Sequence, residues 1–127
     1  MPTKARPRAF KTKKFSKNAK NAQISDTELC EAIQKVMAGQ AVDLGGGVYK
    51  KKLNKNQHRS ITLSKGGQYW IYEYLFAKKG RDNIDDAELV MFRTLAKGDE
   101  GLTRFRSTKL IERKLLVEIC HGDEKKV

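Results

Sequence analysis

Five cations in the middle of the chain carry the pattern with the most chemical content. Lys50 and Lys52 stand two positions apart. On a strand they would project from one face, roughly 7 Å from each other. Arg59 opens the next apolar run, and Lys78 and Arg81 follow the run after it, in Phe76-Ala-Lys-Lys-Gly-Arg-Asp-Asn-Ile84. If these runs pair in order, all five gather at one end or face of a sheet. Fixed cations so placed would hold phosphates and stabilise the charge that develops on non-bridging oxygens as a phosphodiester breaks. A lysine crowded by other cations also gives up its proton more readily and can serve as a base. The same residues would equally serve as ordinary solvated charges at strand ends.

Other chemistries lack their residues. There is no His/Cys set with metal-ligand spacing, no G-x-S-x-G and no Walker loop. No metal or cofactor is expected. His58 and His121 are the only histidines. A two-histidine ribonuclease would need both in one site, and His121 lies in a polar tail. Gly45-Gly46-Gly47 lacks the GK[ST] ending and a following helix, so it reads as a tight turn into a strand. The stripe Trp70, Tyr72, Tyr74, Phe76 could stack bases. Core packing explains it better, because a strand that is apolar on both faces needs cover on both.

The charge balance agrees with a polyanionic partner. Lys and Arg number 27 against 15 Asp and Glu, a formal net charge of +12. Such a surplus draws nucleic acid. The positive charge comes in blocks. Lys4, Arg6, Arg8, Lys11, Lys13, Lys14, Lys17 and Lys20 fill the first twenty residues without an acid between them, and Lys50 to Lys65 form a second acid-free block. No convincing amphipathic basic helix or lipidation signal points to a membrane. Residues 1–24 hold no apolar run, so no secretory signal is read there and a cytoplasmic setting is expected. In that setting Cys30 and Cys120, which are far apart in sequence, are expected as reduced buried thiols.

The elements that would position these residues read as a single domain over 1–127. Residues 1–7 form a loose arm and 121–127 a loose tail. Phe10, Phe15 and Ala19 predict a short strand or turn leading into a basic helix that ends near Ala22. Ser25-Asp-Thr-Glu28 is a capping box opening a helix from Asp26 to Ala38, with Leu29, Ile33, Val36 and Met37 at helical spacing. Strands are predicted at Gly47 to Leu53, Arg59 to Ser64 and Gln68 to Ala77, with a polar loop from Asn54 to His58 and a turn at Lys65-Gly66-Gly67. Strict alternation in the third strand sends Tyr69, Ile71 and Leu75 one way and Trp70, Tyr72, Tyr74 and Phe76 the other. Asp85-Asp-Ala-Glu88 opens a third helix with a buried stripe of Leu89, Phe92, Leu95 and Ala96. A short helix near Ser107–Arg113 and a closing strand at Leu115 to Ile119 complete an α+β fold. In it, a central antiparallel sheet packs against two N-terminal helices.

Several of these segments together resemble the RelE/ParE superfamily of toxin–antitoxin toxins, and within it the phage-protein-like RelE branch. They are Phe10-Lys-Thr-Lys-Lys-Phe15, Ile24-Ser-Asp, Asp43-Leu-Gly-Gly-Gly-Val-Tyr-Lys50, Arg59, Phe76-Ala-Lys-x-x-Arg-Asp-Asn-Ile84 and Leu-Leu-Val-Glu-Ile119. The resemblance runs over residues 8–120 in the right order. It implies a microbial-RNase-like fold and metal-independent cleavage of mRNA in the ribosomal A site, by attack of the 2′-hydroxyl on the adjacent phosphate. It also implies a cognate antitoxin, often a helix-turn-helix protein encoded alongside. By position, Lys50 and Lys52 would contact or activate the scissile phosphodiester, Arg59 and Arg81 would stabilise the transition state, and Lys78 would bind the flanking backbone. Lys51, with Lys11, Lys13, Lys14 and Lys17, would anchor on RNA without reading sequence. His58 stands just before Arg59, where the family usually has an aromatic residue, and the tail offers only His121 for stacking on a base. Two other readings stay open: a non-catalytic RNA- or DNA-binding module, and a superfamily toxin that acts on gyrase.

Overall fold

A computed structural model describes residues 7–65, 68–81, 83–98 and 116–120. Six strands and three helices follow in the order β1 (Arg8–Thr12), α1 (Lys13–Asn21), α2 (Asp26–Met37), β2 (Val42–Gly45), β3 (Val48–Leu53), β4 (His58–Lys65), β5 (Tyr69–Ala77), α3 (Asp86–Gly98) and β6 (Leu116–Ile119). The strands form one sheet in the order β2-β3-β4-β5-β1-β6. The expected α+β class holds. The sheet is mixed, because β1 runs parallel to β5 while every other pair is antiparallel. Two strands went unread or half-read in the sequence. β1 is too short to show a period, and β2 is an exposed edge with only Val42 and Leu44 as apolar residues. The predicted helix near Ser107–Arg113, both termini beyond the bounds given and Gly66-Gly67 lie outside the described residues.

The helix starts are local chemistry. The Thr12 hydroxyl accepts from Phe15 N–H at 3.0 Å and caps α1; Ser25 does the same for Glu28 N–H at 3.2 Å in α2. The reciprocal half of the expected capping box is not made there. Glu28 Oε2 instead accepts from Asn54 N–H, tying α2 to the β3–β4 turn. The complete box is at α3. Glu88 N–H donates to Asp85 Oδ1 at 2.8 Å, and Asp85 N–H donates back to Glu88 Oε1 at 2.9 Å.

Helices α1 and α2 cover one face of the sheet. Phe15, Ala19, Leu29, Ile33 and Val36 pack there against Trp70, Tyr72, Leu75 and Leu53. The Tyr72 hydroxyl, fully buried, donates to the Leu29 carbonyl at 2.8 Å, and Phe15 stacks on its ring at 4.8 Å. Burial pushes the Tyr72 phenol far above its ordinary range. A disulfide joins Cys30 of α2 to Cys120 just beyond β6, with Cα atoms 5.3 Å apart. This overturns the expectation of two reduced thiols. Their separation of 90 positions hid a proximity created when β6 pairs with β1 under α2. Helix α3 covers part of the other face, where Phe92 and Ala96 meet Val48, Ile61, Leu63 and Phe76. Leu95, expected on that stripe, is instead 40% exposed.

The triple glycine is a turn, as its context indicated. All three residues have positive φ (86°, 66° and 85°). The Arg93 side chain lies against Gly45 and Gly46, at 3.0 Å and 2.7 Å from where a Cβ would stand, and its guanidinium donates to the carbonyls of Leu44 and Gly45. The segment therefore clamps α3 onto the β2–β3 hairpin. Side chains at Gly45 and Gly46 would need strained backbone and would push Arg93 aside.

Candidate nucleic-acid interface

Register decides which cations meet. Lys52 lies opposite Arg59, and Arg59 opposite Phe76; one step along, Lys50 lies opposite Ile61, and Ile61 opposite Tyr74. Residues opposite each other in a ladder share a face, so Lys50, Lys52, Arg59, Tyr74 and Phe76 lie together on the α3 side. Strict alternation would have put Tyr74 and Phe76 with Trp70 and Tyr72 on the far side. A bulge prevents this. Ile61 pairs with Tyr74 while Thr62 pairs with Tyr72, so Glu73 is an extra residue in β5. Beyond the bulge the faces exchange. Leu75 joins Trp70 and Tyr72 beneath the N-terminal helices, and Tyr74 and Phe76 turn to the cationic face.

Arg81 completes that face from the loop after β5. Its guanidinium lies 5.5 Å from the Phe76 ring centre, and Nη1 stands 3.4 Å from the Tyr74 hydroxyl. Glu88 grips it with both carboxylate oxygens, Oε2 at 3.0 Å from Nη1 and Oε1 against Nη2, and Nε donates to the Asn83 carbonyl. The Glu88 carboxylate raises the Arg81 pKa, and Arg81 holds the Glu88 carboxyl below its ordinary value, helped by the Asp85 backbone N–H. One carboxylate thus fixes both the start of α3 and the guanidinium.

Arg59 behaves differently from the others. It is 3% exposed, and its Nη1 donates to the carbonyls of Asn56 at 3.0 Å and His58 at 3.3 Å. It is a charge set into the floor that also shapes the β3–β4 turn. Lys52 is exposed, and Lys50 half-buried. Lys78 lies at the hairpin end of the sheet, where its N–H donates to the Gln57 carbonyl at 2.9 Å. Four of the five expected site cations, Lys50, Lys52, Arg59 and Arg81, therefore share one face, and Lys78 stands at its edge.

The docking lysines divide. Lys51 points to the α2 side of the sheet, among Glu28, Glu31 and Lys35. Lys13, Lys14 and Lys17 are exposed on α1, over the face opposite Lys52. Lys11 does not join them. It is 8% exposed, and its ammonium is held 2.6 Å from Asp26 Oδ1, so it ties β1 to α2. Arg8 is likewise structural. It makes a two-point bond to Glu118 of β6, at 2.8 and 2.9 Å, and Glu118 raises its pKa. Sequence reasoning grouped Tyr74 and Phe76 with Trp70 and Tyr72 and preferred core packing for all four, and it missed Glu88 as the partner of Arg81. The Asp85–Glu88 spacing signalled a helix start, but nothing in it signalled the arginine. Among the described residues no group of His, Cys, Asp and Glu could hold a metal ion, and no helix is long and apolar enough to cross a membrane.

Comparison with known proteins gives one match. The family model described as the RelE toxin of the RelE/RelB toxin–antitoxin system matches residues 7–119. No curated protein and no solved structure matches the chain.

Proposed function

Since the chain belongs to the RelE toxin family of toxin–antitoxin systems, and a cognate antitoxin is its implied partner, we propose that it is a ribosome-dependent endoribonuclease that cuts mRNA in the A site. The observation that carries this reading is the row Lys52–Arg59–Phe76 across three adjacent strands, with Arg81 laid over Phe76. The 2′-hydroxyl of one nucleotide gives its proton to solvent as its oxygen attacks the adjacent phosphorus, the bond from phosphorus to the 5′-oxygen breaks, and that oxygen takes up a proton from solvent to leave as a 5′-hydroxyl. Negative charge accumulates on the non-bridging oxygens and on the leaving oxygen. Lys50 and Lys52 reach that phosphate from β3. Arg59 stabilises the developing charge from beneath, through a field that needs no reorganisation. Arg81 meets the phosphate at the edge of the face, and Lys78 holds the flanking backbone. Lys51, Lys13, Lys14 and Lys17 supply sequence-independent attachment to rRNA. The reaction needs the ribosome, so its setting is the cytoplasm, and the antitoxin is a helix-turn-helix protein.

Expression without the antitoxin is expected to arrest growth and to yield mRNAs whose new ends fall within codons. Growth arrest with intact transcripts overturns the reading. A second reading, RNA binding without cleavage, draws on the engagement of Arg81 by Glu88, Tyr74 and Asn83. It predicts salt-dependent binding and no new RNA ends.

A further inference from the structure

The hairpin end of the sheet holds a second cationic concavity. A cavity of about 510 Å³ lies between the β3–β4 turn and the segment leaving β5, with Lys55, Asn56, Gln57, His58, Lys78 and Lys79 around it. Among the described residues no carboxylate lines it. Lys55, Lys78 and Lys79 are exposed, and none makes an ion pair with a described residue. Lysines clustered around a concave wall raise the local concentration of anions.

Its walls are fixed. Lys78 N–H donates to the Gln57 carbonyl at 2.9 Å, joining the two segments. Asn54, Lys55 and Asn56 all hold positive φ (54°, 54° and 73°), a course that Arg59 secures through the Asn56 and His58 carbonyls. The same Arg59 stands between Lys52 and Phe76 in the sheet, so the turn that walls this cleft is anchored from the cationic face. His58 Nδ1 lies 3.2 Å from Asn54 Nδ2, a contact that orients the half-buried ring beside the lysines.

We propose that this cleft binds the nucleotide next to the scissile phosphate of single-stranded RNA, with Lys55, Lys78 and Lys79 on backbone phosphates and the His58 ring stacked on the base. The assignment rests on the proposed nuclease reading for its place along the strand. A single strand is favoured because an unstacked base can enter a concave cleft next to a ring. A duplex keeps its bases stacked and offers grooves and phosphates alone.

The test is equilibrium binding of a short, fluorescent, single-stranded 2′-O-methyl oligoribonucleotide, which cannot be cut, measured over a range of salt concentrations without ribosomes. Each phosphate contact contributes about 0.7 to the slope of log affinity against log salt. Lys55→Ala with Lys79→Ala is expected to flatten the slope by about 1.4 while the thermal midpoint stays unchanged. His58→Ala is expected to weaken binding by at least about five-fold at every salt concentration, with the slope kept. An unchanged slope in the double lysine variant overturns the cleft, as does equal flattening with a duplex of the same sequence. The two proposals fail separately. If the wild-type protein leaves mRNA on ribosomes uncut while the slope flattens in the double lysine variant, the nuclease reading falls and the cleft remains an RNA site. If mRNA is cut and the slope does not flatten, the cleft alone falls.

Discussion

The two faces of the sheet are built from the same strands and end in opposite chemistry. Under α1 and α2, inward positions of β3, β4 and β5 are Tyr49, Leu53, Thr62, Trp70, Tyr72 and Leu75, and a disulfide closes the layer. On the α3 side the same strands begin with Val48, Leu63 and Ile61, then change to Lys50, Lys52 and Arg59 toward the hairpin end, where Arg81 joins from the loop after β5. Helix α3 packs on the apolar half of that face, and Arg81 lies over Phe76 in the cationic half. The difference shows how a small fold affords both stability and a polyanion site. One face supplies most of the core, and the other divides between a smaller apolar cluster and the cations.

That division predicts a separation of effects. Lys52→Ala removes an exposed cation from the second face and takes nothing from the core under α1 and α2. Loss of one fixed charge at the reacting phosphate is expected to lower cleavage by about 10²–10³-fold, or about 2.7–4 kcal/mol of transition-state stabilisation. The urea midpoint is expected to stay where it is. Toxicity measured alongside denaturation checks both halves, and a variant that loses stability and activity together would break the comparison.

The disulfide makes the reverse prediction. Cys30 and Cys120 join α2 to the chain beyond β6, entirely on the sealed face. Reduction, or Cys30→Ser with Cys120→Ser, is expected to cost about 2–4 kcal/mol of stability. Cleavage at a temperature where the protein stays folded is expected to be unchanged. Urea melts with and without reductant measure the first quantity. An activity that falls with reduction while the fold persists would mean the two faces are coupled.

Most of the sealed face was legible in the sequence, and little of the cationic face's geometry was. Leu29, Ile33 and Val36 declare their helix by spacing, and Ser25 declares its start, because both signals are local. Lys50, Lys52 and Arg59 could be placed on one face, because hairpin pairing of neighbouring strands follows from short connections. The extra Glu73 could not be seen, since a bulge leaves no composition mark when both faces of a strand are apolar. That residue decides which way Tyr74 and Phe76 point. The pairing of Arg81 with Glu88, the burial of Lys11 against Asp26 and the Cys30–Cys120 bond all depend on where loops carry side chains. No periodicity encodes them.

Glu88 tests how firmly the cationic half is held. Its folded-state pKa lies below the ordinary carboxylate value, because Arg81 and the Asp85 N–H prefer the anion. A depressed carboxylate contributes stability that is present above its unfolded pKa and lost as pH falls through the folded one. Glu88→Gln keeps an oxygen for the Asp85 N–H and removes the negative charge that faces Arg81. The stability difference between wild type and Glu88→Gln is therefore expected to be largest near neutral pH and to vanish in acid. Urea melts across that pH range measure it. A difference that stays constant with pH would mean the pair adds no charge-dependent stability.

The smallest effect lies at the centre of the sealed face. Thr62 is fully buried between Tyr49 and Tyr72 in the ladder, and its hydroxyl has no hydrogen-bond partner among the described residues. A buried, unsatisfied hydroxyl carries its desolvation cost without return, whereas a methyl of the same shape does not. Thr62→Val is expected to raise stability by about 1 kcal/mol. It should leave cleavage untouched, because Thr62 faces away from Lys52. Thermal melting checks the gain. A loss of stability would mean that the hydroxyl has a partner, a bound water for example, and that this face is less dry than its packing implies.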